Sequence, residues 1–514
     1  MRDRRNNLAK LNTLVFGRDL RITKGEPYPH IYEYDFSSYY PEENYIYNQD
    51  LPEGKEIFDI RFYGADVRND DNAPFIQKAV DDASKVGGCV VVSGGNYVTT
   101  TVFLKSDITL FIFRDSSLSS NKTGEGYNHL GIVHCDSCRN VTLTGGGKLI
   151  GNGEYFGRKP LYDKNIIEHS EYIDVIEMRK KYRAQLRFAH ESKYGGVLYI
   201  KNCTDIKADN FIIENSAHWS FHIENCNGVE IKNFVINNNR HVANADGFDI
   251  SGSSNVSINH CFVSTADDGI CIKNALWLGN TNEMKNISVS DCEVISCTNA
   301  FKIGTETTFD ISDVTVSNCR FFMTDIYPGT VSGIAIESAD GASVHHIKVQ
   351  NISMNRVTCP VFIRLCNRNR ASTVDSSSAN AVEFGKRKKR ASSAAKDRFH
   401  QKGSIYAVDI SDVTAENIEI PVIIAGYKQN EKSFYVSDVT LKNFNLQYAP
   451  YKEVYDKRRF IPEYVDVYPE SWRFRNLPAY ALWARHVKGL KLLDFVCGVP
   501  RSTWKEEIIT EDVI

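Results

Sequence analysis

From about residue 105 onward the chain is written in short Val- and Ile-rich runs separated by Asn, Asp, Gly and Ser. "TDIKADNFII", "NGVEIKNFVI", "SNVSINHCFV", "KNISVSDCEV", "SDVTVSNCRF", "HHIKVQNISM", "SDVTAENIEI", "SDVTLKNFNL" and "KGLKLLDFVC" share one template, with a first apolar residue at 206, 229, 256, 287, 314, 347, 413, 439 and 490. Apolar–polar alternation over such runs predicts strands. The shorter steps, from 23 residues (206 to 229) to 33 (314 to 347), are the period of a solenoid. Four residues after each anchor stand Asn210, Asn233, His260, Asp291, Asn318, Asn351, Asn417, Asn443 and Asp494. One residue later come Phe211, Phe234, Cys261, Cys292, Cys319, Ile352, Ile418, Phe444 and Phe495. We expect a parallel β-helix: the polar column marks a bend, the apolar column points inward, and equivalent residues stack about 4.8 Å apart.

Upstream, "FDIRFYGADVRNDDNAPFIQKAVDDASKVGGCVVVSGGNYVTTTVFL" predicts a strand, an amphipathic helix over 75–86, a Gly-Gly stop and a buried strand. The helix would cap the open end of the solenoid against edge-to-edge association. The expected organisation is an extension at 1–56, the helical-coil domain at 57–497 and a tail at 498–514. Two insertions break the rhythm. Residues 150–195 form a charged, helix-like excursion, and residues 367–403 a basic, Ser/Ala-rich loop that is either solvated or a flap over an anionic substrate.

A net charge of −3 gives no global field for nucleic acid or an anionic membrane. No apolar run approaches the roughly 18 residues of a membrane span. The basic N-terminus lacks the apolar core of a secretory signal, so the expectation is a cytoplasmic protein, or a periplasmic or secreted one if a signal was removed. Thirteen cysteines cannot all pair, and "CDSC" at 135–138 has no partners at zinc-site spacing. We expect reduced core cysteines, with Cys261, Cys292 and Cys319 as stacked small hydrophobes rather than disulfides between coils.

The candidate chemistry sits in a second strand after each anchor: "HWSFHI", "ADGFDI", "DDGICI", "TNAFKI" and "VSGIAI". Aligning inward residues puts Phe221, Phe248, Ile270, Phe301 and Ile334 in one column. Two positions earlier stand Trp219, Asp246, Asp268, Asn299 and Ser332. Because strand side chains alternate, His222, Asp249, Cys271, Lys302 and Ala335 form an outward column. Asp246 and Asp268 therefore become neighbours from different coils, with Asp267 beside them. Three carboxylates together repel one another and raise at least one pKa, as a site needing both acid and base requires. Turn-capping or Ca²⁺-binding aspartates are the alternative reading. No metal or cofactor is expected.

"NADGFD" followed by "ADDGICIKN" resembles the Asn-Thr-Asp and Asp-Asp motifs of glycoside hydrolase family 28, the polygalacturonase family. With the "FYGA…GG…GGNY" opening, the resemblance spans roughly 57–497. It implies an all-β, right-handed parallel β-helix and inverting hydrolysis, with Asp267 as general acid and Asp246 and Asp268 activating water. The family's Gly-His-Gly is here Thr298, Asn299, Ala300, and its Arg-Ile-Lys is Ala335, Ile336, Glu337. Plain polygalacturonan is then a poor substrate, and a rhamnogalacturonan-type or other acidic oligosaccharide a better one. Lys302, and Arg364 two coils later, are expected substitutes for the lost cations. Trp219 is a candidate sugar platform, His222, Asp249, Asn299 and Glu337 candidate sugar contacts, and Arg485 or His486 is expected to reach the cleft. The rivals are a β-helix polysaccharide lyase using Lys302 or Arg364 as base, and a non-catalytic glycan-binding solenoid.

Overall fold

The computed structural model describes residues 41–157, 196–368, 402–450 and 460–514, less Glu42, Asn48, His241, Asn282, 325–328, 475–476 and 501–504. It also gives the backbone of short strands at Arg21–Thr23, Gly157–Leu161, Tyr172–Asp174 and Arg187–His190. Where the insertion at 150–195 is described it holds a 3-10 turn at Gly153–Tyr155 and short strands at Gly157–Leu161, Tyr172–Asp174 and Arg187–His190, with no longer helix among the described residues, and 369–401 lie outside them. No described helix is long and apolar enough to cross a membrane.

Alternating Val and Ile need a partner strand on each edge, and successive coils supply it. Strands pair in parallel through one 28-stranded assembly, a right-handed parallel β-helix. The anchors stack as read from Ile206 through Val229, Val256, Ile287, Val314 and Ile347. The next member is Val408, however, and not Val413. Val413 occupies the following column, between Ile352 and Phe444, so it replaces Ile418 there. Asp412 replaces Asn417 in the polar column, accepting from Asn443 at 2.7 Å. The slip has a physical source: these strands bend every five residues. Left-handed residues recur at Asp205 and Asn210, at Asp313 and Asn318, and at Ala407, Asp412 and Asn417. A five-residue shift therefore preserves the pattern.

Each bend needs a residue that tolerates positive φ, which Asn and Asp do because their short polar side chains bond locally. The side chains then bond one another up the stack: Asn351 to Asn318 at 2.8 Å and Asn318 to Asp291 at 3.2 Å. Inside, Phe211, Phe234, Phe221 and Phe248 pack with centroids 5.7–5.9 Å apart. The helix runs Ala73–Val86, with Pro74 in its first turn and left-handed Gly87 ending it. It lays Ile76, Ala79, Val80 and Ala83 on the first coil. Tyr45 and Ile46 of the N-terminal extension are buried, and the Tyr47 backbone exchanges two 2.7 Å hydrogen bonds with Asn210. At the other end Glu506–Val513 pairs with Ala479–Cys497 as a further strand.

All thirteen cysteines are free and buried. A thiol reagent should therefore titrate close to none of them in the native protein and all of them in denaturant. Fast native labelling of Cys261, Cys292 or Cys319 would contradict this register.

Candidate active site

Five short stretches of neighbouring coils build the site. Phe221–Glu224, Phe248–Ser251, Ile270–Asn274, Asn299–Thr307 and Thr330–Ser338 lie side by side in parallel. Their register stacks Phe221, Phe248, Ile270, Phe301 and Ile334 inward, and His222, Asp249, Cys271, Lys302 and Ala335 outward. Asp246 and Asp268 stand at the strand entrances, each followed by a glycine, with Asp267 just before Asp268. A Cβ on Gly247 would meet the Gly269 carbonyl oxygen at 2.2 Å, and one on Gly269 the Ala300 carbonyl oxygen at 2.6 Å. Glycine there lets the coils close up: Gly247 N–H donates to Asp268 C=O at 2.9 Å and Gly269 N–H to Asn299 C=O at 2.8 Å.

The consequence is a carboxylate cluster. One oxygen each of Asp246, Asp267 and Asp268 lies within 4.8 Å of the others. Asp268 is fixed on every side: Oδ1 accepts from Thr298 Oγ1 (2.7 Å) and from Asn299 Nδ2 (2.8 Å) and N (3.1 Å). Its Oδ2 lies 3.2 Å from Lys302 Nζ. Burial raises its pKa, but Lys302 and these donors outweigh that and hold it at about 2. Asp246, buried too, has its pKa pushed well up, first by burial and then by Asp249 and Asp267. Asp267 is the least buried, with Oδ1 accepting from Thr298 Oγ1 (3.0 Å) and Oδ2 from Asn244 N–H (3.2 Å). The cluster thus holds one carboxylate ionised beside one that favours a proton.

The alternation also puts Lys273 on the outward face, two residues beyond Cys271, which the motif reading passed over. It hydrogen-bonds Asp249, lies 3.5 Å from Asp246, and rests 3.8 Å over the Trp219 ring. Burial raises the Asp249 pKa to about 7 despite that lysine. One face of Trp219 is thereby taken and the residue is only 8% exposed, so it supports Lys273 rather than offering an open platform. His222 stacks on Tyr199 at 4.6 Å and bonds Ser251 Oγ at 2.9 Å; burial and Lys273 keep it neutral.

Residues 90–385, more than half of the chain, match Glycosyl hydrolases family 28. The chain belongs to this family. It is a glycoside hydrolase of the polygalacturonase type. An endo-polygalacturonase of Pectobacterium carotovorum subsp. carotovorum is 26% identical over 305 residues, covering 56% of this chain and 70% of the relative. Among solved structures, an exopolygalacturonase of Thermotoga maritima aligns with TM-score 0.55 and 18% identity over 79% of this chain and 89% of its own. A family 28 exopolygalacturonase of Yersinia enterocolitica aligns with TM-score 0.58 and 16% identity over 89% and 78%. At these identities the structural likeness speaks for the fold alone.

Within the family frame, the expected cationic contacts fall elsewhere. Lys302 is 1% exposed and shared between Asp268 and Glu470 Oε1 (3.4 Å), so its charge is met inside the protein. Arg364 does not share the Lys302 column. Phe362 does, and Arg364 pairs with Glu337 in the next outward one. Its guanidinium donates to backbone carbonyls of Gly426, Glu463 and Tyr464. Arg485 pairs with Glu511 and Glu463, and His486 with Asp512 (2.6 Å) and Glu463 (3.2 Å). Neither is brought to the aspartates. Ala335 is buried under apolar side chains, while Glu337 is fully buried with neither carboxylate oxygen hydrogen-bonded. Burial, before its charged neighbours, raises its pKa. Glu470 and Tyr468, about 200 residues downstream of the aspartates, complete the group around Lys302, and no local pattern marked them.

Lys302 sets the Asp268 pKa, so Lys302→Met should raise it. The acid limb of kcat/KM should then move up by roughly one to three pH units. Losing one partner of a buried pair should also cost about 3–5 kcal/mol of stability. An unmoved limb in folded variant would assign the low pKa to Thr298 and Asn299 instead.

Proposed function

We propose that the chain hydrolyses a pectic or related acidic oligosaccharide, of rhamnogalacturonan type rather than plain polygalacturonan, with inversion. The supporting observation is the cluster of Asp246, Asp267 and Asp268 with one member held ionised by a buried lysine. Asp246 and Asp268, from stacked coils, hold the attacking water. Asp267, the most accessible, protonates the leaving oxygen as the glycosidic C–O bond breaks. Water adds its hydroxyl to the anomeric carbon, and its other proton passes to Asp268. Inversion draws support from family membership, not from the spacing: separations near 5 Å accompany retention and about 6.5–9.5 Å inversion.

The substrate assignment rests on charge. Lys273 and Lys302 are both engaged by protein carboxylates, and Glu337 adds a buried acid where the motif of the resembled family carries lysine. A galacturonate carboxylate placed there would face acids rather than cations. The lyase reading needed a free base at Lys302 or Arg364, and both are tied into protein contacts. A second assignment of roles has its own support. The Asp246 pKa is pushed up, so Asp246 is the alternative proton donor.

Defined pectic oligosaccharides separate these possibilities. Asp267→Asn should cost about 10²–10⁴-fold on natural glycosides and far less on aryl glycosides with good leaving groups. Equal losses would move the acid role to Asp246. Proton NMR of fresh product should show the anomer opposite to that of the cleaved bond first; the same anomer would refute inversion.

A further inference from the structure

We propose that this enzyme attacks its glycan from a chain end, because the outward face beside the aspartates is covered one coil beyond Asp268. The wall is the C-terminal strap at 460–474. This inference rests on the hydrolase reading above.

The outward column gives the path. On its N-terminal side, Asp249 is followed by His222, Tyr199, His134 and Phe103 in register. These rings contact one another at 4.6, 4.9 and 5.9 Å, and Phe103 is 47% exposed. His134 and His222 are buried, at 5% and 9% exposure, and His222 lies flat on Tyr199, so Phe103 is the ring of this file that is open to a sugar face. On the C-terminal side the same column reads Lys302, Ala335, Phe362, Ile423 and Trp483. None of these is more than 1% exposed. Ile461 and Phe474 of the strap, with Leu477 just after it, pack onto this apolar face.

The strap is pinned along its length. Arg485 donates to the Ile461 carbonyl at 2.8 Å, Arg364 to those of Glu463 and Tyr464, and Asn367 N–H to that of Val465 at 2.7 Å. The Ser332 and Ser471 hydroxyls bond at 3.0 Å. The arginines expected to grip substrate therefore hold the wall. Its leading edge is Glu470, 3.5 Å from Asn299 Nδ2, which donates to Asp268. The coil after Asp268 carries Lys302, about 4.8 Å on, and Glu470 meets that lysine at 3.4 Å, so the wall begins directly beside the aspartates. A polymer lying along the column cannot extend past Lys302, where the strap covers the face.

The test uses the wild-type chain and two probes: rhamnogalacturonan and polygalacturonan oligosaccharides of defined length, fluorescently labelled at the reducing end. Products are followed by capillary electrophoresis and mass spectrometry. The expected result is one short product of constant size, released successively from a single end, with intermediate lengths falling one step at a time. Internal fragments of mixed size from the earliest time points would overturn end attack and leave the hydrolase reading standing. No cleavage of either probe would overturn that reading, and end attack with it.

Discussion

The spacing of stacked parallel strands, about 4.8 Å, is the constraint on which everything else depends. It turns residues one coil apart in sequence into side-by-side neighbours, whatever the length of the intervening loop. Asp246 and Asp268 meet only because Phe248 pairs with Ile270, and Lys302 reaches Asp268 only because Ile270 pairs with Phe301. Gly247 and Gly269 sit where any side chain would hold the coils apart. Fold and site are therefore one construction: a slip of register would disperse the carboxylates as well as unpack the core.

Crowding acids in this way is costly without compensation. Two buried lysines supply it, each on a different part of the cluster: Lys273 beside Asp246 and Asp249, and Lys302 beside Asp268 and Glu470. The compensation is uneven, and the unevenness is useful. Asp268 gathers a cation and three hydrogen bonds, whereas Asp246 Oδ1 and Asp249 Oδ2 are buried without a hydrogen bond. Neighbouring carboxylates thereby differ in their hold on a proton, as acid–base chemistry requires.

Much of this was legible in the sequence because it is periodic. Alternation located the inward and outward columns, and the Asn and Asp bends located the turns. The same regularity misled at one coil, where bends five residues apart made Val413 look like Val408. Lys273 was also within reach of the alternation rule. What no period encodes is the strap. Glu470 and Tyr468 arrive from a segment outside the repeat, and they decide what Lys302 and Asn299 touch. Arg364 and His486 looked like substrate contacts because charge on a β-face reads as exposed. Here the fold covers that face and uses the charge on backbone carbonyls and on Glu463.

Lys302 holds Asp268 in its charged form, while burial beside Asp249 and Asp267 gives Asp246 the stronger hold on a proton in the same cluster. Neutron diffraction from crystals grown near pH 5 sees those protons directly. The expected map shows a full ammonium on Lys302 and, of the two carboxylates, a deuteron on Asp246 and none on Asp268. A deuterated Asp268 beside an ionised Asp246 would contradict it.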